Sequence, residues 1–292
     1  MPEKKRAPRA KARGGAAKSA NDAKGRRGST PTGARKARRP AALLAVDVGN
    51  SETVVGFFSD RDLAGFWRFT SRAATADELG LMIDVLARAH RWPSDLGAVV
   101  CSVVPALTLP WVAALERQTG RPPVEVNVST ARGLPIRYHD KTAVGADRIA
   151  NAIAARALYG VPAIVVDLGT ATTFDCVSNH GAYLGGVIAP GVATSAEELF
   201  RRAARLPRVE LRRPARVLGR TTEESLQAGV LWGAAGQVDA LVRRLALEMK
   251  GTPTVIATGG LARVIAAECE TINRVDEGLT LKGMRLIWED QA

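Results

Sequence analysis

Two short runs of the chain place a carboxylate and a glycine directly after an apolar stretch: Asp47-Val48-Gly49-Asn50 follows Leu43-Leu44-Ala45-Val46, and Asp167-Leu168-Gly169-Thr170 follows Ala163-Ile164-Val165-Val166. A buried strand ending in Asp-x-Gly sets a carboxylate and free backbone N–H groups at one rim of a sheet, where glycine lets a phosphate approach the backbone closely. A single run of this kind reads as a glycine-containing hairpin turn. Two of them facing each other make a nucleotide cleft. A third candidate is Val144-Gly145-Ala146-Asp147-Arg148, at the opening of a helical pattern. There the aspartate either caps the helix, favoured by the dipole, or stands as a general base beside an arginine that clamps an anion. The sequence contains no G-x-x-x-x-G-K-[ST] loop and no G-x-G-x-x-G turn after a strand, so those two phosphate-binding devices are excluded. Cys101, Cys176 and Cys269 are isolated, and His90, His139 and His180 lack metal-ligand spacing, so buried thiols and ordinary histidines are expected.

The elements that would carry these residues follow from apolar periodicity. Strand-like runs at 43–46, 53–58 and 65–70 precede a capping-box pattern, Thr75 with Glu78, ahead of Leu79, Met82, Ile83 and Leu86 on one helical face. A strand at 97–104, a helix at 107–119, a strand at 124–128 and a helix at 145–159 complete the order βββαβα. The same order restarts with strands at 163–166, 172–177 and 183–188. A helix from about Thr194, a long helix from Thr222 toward Met249, a strand at 254–257 and a helix after Gly259-Gly260 follow. An offset of 120 residues superposes Asp47 on Asp167, Gly49 on Gly169 and Thr53 on Thr173, which predicts a duplicated domain. The expected division is 1–40, 41–160 and 161–292.

The 292 residues carry a net charge of +12, and its location matters more than its size. Residues 1–40 hold 14 Lys and Arg against Glu3 and Asp22, so the remaining 252 residues are neutral. The same 40 residues contain no Val, Ile, Leu, Phe, Trp, Tyr or Cys, a composition that cannot bury enough surface to offset ordering. They read as a disordered basic tail, and a solvated extension is a better reading of them than a nucleic-acid binder. No apolar run approaches the roughly 20 residues of a membrane span, and no secretory signal core is present. A cytoplasmic location is expected.

Seven motifs in order resemble type III pantothenate kinases, the Bvg accessory factor family. They are Asp47 to Ser51; Ser102-Val103-Val104-Pro105; Gly145-Ala146-Asp147-Arg148 with Asn151; Asp167 to Asp175; Gly185 to Gly191; Gly219 to Glu224; and Thr258 to Ala262. The resemblance runs from about Leu43 to Gly283. It implies an α/β fold of two duplicated actin-like ATPase (ribonuclease H-like) half-domains, each a mixed sheet with flanking helices. It also implies a homodimer, ATP with Mg2+ in the cleft, a monovalent cation (K+ or NH4+), and transfer of the γ-phosphoryl group of ATP to the primary alcohol of pantothenate.

Carried over by position, Asp47, Val48, Gly49, Asn50, Ser51, Glu52, Thr53 and Val54 match the first phosphate loop, with Asp47 near the magnesium. Gly145, Ala146, Asp147 and Arg148 match the pantothenate loop, with Asp147 as base, and Tyr138 matches a substrate-contacting tyrosine. Asp167 matches the ligand of the monovalent cation, Thr170 an ATP contact and Thr222 a pantothenate contact. Two positions depart from the pattern: Ser51 replaces the usual Thr and keeps the hydroxyl, and Lys141 replaces the usual Pro between Tyr138 and Asp147. The physical chemistry agrees, because phosphoryl transfer is mainly positioning and neutralisation of charge. A nucleotide-binding regulator of the same fold is the rival reading. Joint retention of Asp47, Asp147, Arg148 and Asp167 speaks against it, since a regulator has no chemical need for a base.

Overall fold

The computed structural model describes residues 40–291. The basic tail expected at 1–40 lies almost wholly outside the described residues. Two five-stranded sheets account for the repeat. In the first, β1 (Ala42–Val48), β2 (Glu52–Ser59), β3 (Asp62–Thr70), β4 (Leu96–Ser102) and β5 (Val124–Glu125) are ordered β3-β2-β1-β4-β5. In the second, β6 (Ala163–Leu168), β7 (Ala171–Val177), β8 (Tyr183–Pro190), β9 (Thr254–Thr258) and β10 (Arg274–Val275) are ordered β10-β9-β6-β7-β8. Strand for strand these are one topology: an antiparallel three-strand meander whose first strand also pairs in parallel with a fourth.

Period-2 alternation along the central strands sorts the side chains into three layers. On β1, Leu44, Val46 and Val48 point to one core with α1 (Ala76–His90) and α2 (Pro105–Thr119). Leu43 and Ala45 point the other way, into a middle layer. On β6, Ile164, Val166 and Leu168 enter a core with α5 (Thr222–Met249) and α6 (Ala262–Ala266), while Ala163 and Val165 enter the same middle layer. That layer is filled by α3 (Ala146–Tyr159) and α7 (Leu279–Asp290). Because Asp47 continues the parity of Leu43 and Ala45, and Asp167 that of Ala163 and Val165, alternation alone delivers both carboxylates to the middle layer.

The middle helices cross closely. A Cβ at Gly283 of α7 would lie 2.0 Å from the Ala150 carbonyl oxygen of α3, so only glycine fits. The capping box at α1 forms as predicted: Glu78 N donates to Thr75 Oγ1 at 3.2 Å and Thr75 N to Glu78 Oε2 at 2.8 Å. Three features were not predicted, namely the short strand β10, α7 and a short 3-10 turn at Lys141–Ala143, in the segment where Lys141 replaces proline.

The repeat is not in register at every predicted position. The first turn spans Gly49, Asn50 and Ser51, whereas the second spans only Gly169 and Thr170, so the 120-residue offset slips by one beyond it. Val48 pairs with Thr53 and Leu168 with Thr172, which makes Thr172, not Thr173, the structural counterpart of Thr53. Both are buried, at 2% and 1% exposure.

Candidate active site

Each rim is built from its own turn. In the first, Gly49 N donates to Glu52 O at 3.0 Å, and the Ser71 hydroxyl, just past β3, donates to Gly49 O at 2.6 Å. Thr53 Oγ1 and Ser71 Oγ lie 2.8 Å apart, and Arg68 pairs with Glu52 at 3.2 Å. The second turn closes with Gly169 N donating to Ala171 O at 3.1 Å, and Thr194 of α4 (Val192–Arg202) donates to Thr170 O at 2.9 Å. The rims meet: Thr170 Oγ1 donates to Ser51 Oγ at 2.8 Å. The facing arrangement inferred from two Asp-x-Gly runs is therefore present, joined through the hydroxyl that Ser51 keeps.

Helix α3 enters between the rims. Its N-cap, Gly145, has no side chain, and Asp147 turns back on the free helix end, where its Oδ1 accepts from Arg148 N at 2.8 Å. One turn later on the same face, Asn151 donates to Asp167 Oδ2 at 3.1 Å and accepts from Thr280 of α7 at 2.8 Å. Asn151 stood in the quoted motif without a role, and its i+4 spacing from Asp147 was the available signal. Ser71, Thr194 and Thr280 carried no comparable signal.

The three carboxylates are electrostatically coupled. Burial, then the charges of Asp147 and Asp167, push Asp47 up to about 7, against a lowering hydrogen bond from the Cys101 thiol and the charge of Arg68. Burial and the charge of Asp147 push Asp167 up to about 6, against the Asn151 hydrogen bond. Asp147 is also raised by burial, with the Arg148 N–H and charge opposing. Like charges so arranged invite a cation. Among the described residues no three His, Cys, Asp or Glu side chains come close enough to form a complete metal cage. An all-oxygen donor set of one or two carboxylates fits Mg2+, which keeps its remaining positions for water and substrate phosphates.

The other predicted residues fall as follows. Val48 and Thr53 are buried, Val54 pairs with Asp47 across the hairpin, and Asn50, Ser51, Glu52 and Thr170 are exposed at the rims. Arg148 is only 8% exposed and is not an open clamp: its Nε donates to Asp175 Oδ1 at 2.7 Å. Tyr138 is 39% exposed and tilts against Tyr183 with ring centroids 6.4 Å apart. Thr222 is the first residue of α5, capped by Thr221, and no hydrogen bond among the described residues ties it to the carboxylates. Two open hollows border the residues that brace the turns: one of about 390 Å3 reaches Thr53 and Ser71, and one of about 650 Å3 reaches Thr194.

Two mixed sheets of one topology, with an Asp-bearing turn at the same end of each central strand, define a duplicated actin-like fold. Solved structures share it: a Baf family protein from Campylobacter jejuni, 22% identical, has a TM-score of 0.51 over 85% of this chain and 98% of its own. The ethanolamine utilization protein EutJ from Carboxydothermus hydrogenoformans, 13% identical, has a TM-score of 0.50 over 86% and 91%. The sequence narrows the class. Residues 43–244 match the model of the type III pantothenate kinase family, and the chain belongs to that family. The type III pantothenate kinase of Moorella thermoacetica is 48% identical over 252 residues, covering 85% of this chain and 98% of the relative. That of Frankia alni is 47% identical over 253 residues, covering 85% and 98%.

Proposed function

We propose that this protein transfers the γ-phosphoryl group of ATP to the primary hydroxyl of pantothenate, giving 4'-phosphopantothenate and ADP, the first step of coenzyme A biosynthesis. The observation that carries the reading is the convergence of Asp47, Asp147 and Asp167 between two touching turns in a member of this family. In the step, the alcohol oxygen forms a bond to the γ-phosphorus, the bond to the bridging oxygen breaks, and the alcohol proton passes to Asp147. Burial raises the affinity of that carboxylate for a proton, which suits it as a base. Where the transition state is loose, Asp147 acts chiefly by orienting the hydroxyl as a hydrogen-bond acceptor.

The exposed turn residues Asn50, Ser51, Glu52 and Thr170 would face the phosphates, with Gly49 and Thr53 shaping the first turn from within. A divalent cation at Asp47 would neutralise charge developing on the phosphates. We place a monovalent cation, K+ or NH4+, at Asp167, the duplicate carboxylate. Tyr138, Gly145, Ala146, Arg148 and Thr222 form the pantothenate side. A homodimer in the cytoplasm completes the reading, and no helix among the described residues is long and apolar enough to cross a membrane.

The regulator reading is the weaker one, because a binding-only protein has no use for a half-buried base beside two cation-seeking carboxylates. A coupled assay with ATP, Mg2+, K+ and pantothenate tests the proposal. ADP release that depends on pantothenate is expected, and its absence would overturn the function.

A further inference from the structure

The ion pair between Arg148 and Asp175 is buried, with side chains 9% and 0% exposed. Arg148 Nε donates to Asp175 Oδ1 at 2.7 Å, and an Nη group donates to Phe174 O at 3.2 Å. The Tyr183 hydroxyl donates to the same Asp175 oxygen at 3.0 Å. Asp175 Oδ2 is buried with no hydrogen-bond partner among the described residues. Such an arrangement is a poor stabiliser: a buried ion pair often gives no advantage over apolar packing, and an orphaned carboxylate oxygen costs free energy.

The fold itself does not require it. In the second hairpin Asp175 pairs with Val165, and the equivalent place in the first hairpin, opposite Ala45, is Gly56. A Cβ at Gly56 would meet Leu281 of α7, so the first half uses this position for apolar helix contact. The second half builds a charged junction there instead.

What the junction joins is specific. The Tyr183 ring lies 6.0 Å from the Arg148 guanidinium and tilts against Tyr138. The Tyr183 backbone holds the segment leading to Tyr138 at two points: its N–H donates to Pro135 O and its carbonyl accepts from Arg137 N, each at 2.8 Å. One aspartate and one tyrosine thus tie the start of α3, two residues of which flank the proposed chemistry, to the segment carrying Tyr138. Two of the three nitrogens in the Arg148 fork are committed, which fixes the plane of the third.

We infer that Asp175 and Tyr183 are positioning residues for the acceptor substrate, locking the Arg148 guanidinium and the Tyr138 segment into one unit beside Asp147. The inference rests on the pantothenate reading above. It is tested with full-length Tyr183→Phe, Asp175→Asn and the apolar pair Arg148→Met/Asp175→Leu, each assayed for kcat, for KM toward pantothenate and ATP separately, and for melting temperature. Loss of one hydrogen bond to a buried charge should raise the pantothenate KM about tenfold in Tyr183→Phe, and more in Asp175→Asn, with the ATP KM unchanged. The apolar pair should recover the wild-type melting temperature and keep the high pantothenate KM. Should Asp175→Asn fail to fold, Tyr183→Phe carries the test, since it removes only a hydroxyl. Lower melting temperatures with wild-type pantothenate KM in both single variants would overturn the inference and leave the function standing. No pantothenate-dependent turnover in the wild-type chain would overturn both.

Discussion

The two turns began as one sequence pattern and are now built differently. The first has three residues and is held from outside by Ser71, whose hydroxyl reaches both Gly49 O and Thr53. The second has two residues and is held by Thr194 from a helix, while the Thr172 hydroxyl, counterpart of Thr53, is buried with no partner among the described residues. Duplication kept the backbone topology and the carboxylate, since these follow from strand parity. It released the supporting side chains, which each half recruited separately. Equivalent aspartates on equivalent strands are therefore free to hold different cations.

The largest effect should come from the residue that has no twin. Asp147→Asn keeps shape and cannot take up a proton, and kcat should fall about 100- to 10,000-fold with ATP still binding. Because the asparagine side-chain oxygen can still accept from the helix end, the same substitution should leave stability nearly unchanged. Measuring kcat and melting temperature on one sample separates the roles, and near-normal turnover in the folded variant would reduce Asp147 to a cap.

The two aspartates that are twins should then fail in different ways. Asp47→Asn should lower turnover on the order of 100-fold, with a raised Mg2+ requirement. Asp167→Asn should leave the Mg2+ requirement alone and abolish the difference between K+ and Na+. Equal rates for the wild type in K+, Na+ and a bulky organic cation would erase this distinction.

Stability against pH sharpens the same contrast without turnover. Asp47 rises from an ordinary 3.8 to about 7 and Asp167 to about 6, so between 3.8 and those values the folded chain holds protons that the unfolded chain has lost. Stability from these groups is present below pH 3.8 and declines as pH rises through about 6 and then about 7. In Mg2+-free buffer, the wild-type melting temperature minus that of Asp47→Asn should fall across this window, and the Asp167→Asn difference should level off earlier. Flat difference curves would contradict the coupling.

The smallest effects should be local. Thr194→Ala removes one hydrogen bond worth about 1 kcal/mol, and Ser71→Ala removes the two that its hydroxyl makes with Gly49 O and Thr53. Hydrogen exchange should speed up at Gly49 in the first variant, and in the second at the Thr170 turn. Loosening of both turns by either change would show that the rims are not independent.

Much of this was legible beforehand, for a physical reason. Strand parity and helix periodicity are local signals, so the two central strands, their aspartates and the opening of α3 could all be read from spacing. Turn length was misjudged because Thr172 and Thr173 are adjacent threonines, and only the ladder shows which one faces Leu168. Helix α7 was missed because Gly278 caps it without a side chain and Gly283 interrupts its apolar pattern, yet that glycine is what its crossing with α3 needs. Asp175 was visible as a residue of a motif. Its partner lies 27 positions away in Arg148, and the sequence holds no sign of that distance.

The placement of α7 has a consequence for synthesis. This helix leaves the ribosome after every strand of both sheets, yet it packs on β1 and β4, the earliest part of the fold. Until it emerges, the inner face of the first sheet, with Leu43, Ala45 and Val99, lacks its cover. Asn151 likewise lacks the Thr280 hydroxyl that orients its amide toward Asp167. A nascent chain halted before α7 would thus hold all three carboxylates and still present a sticky apolar surface to chaperones.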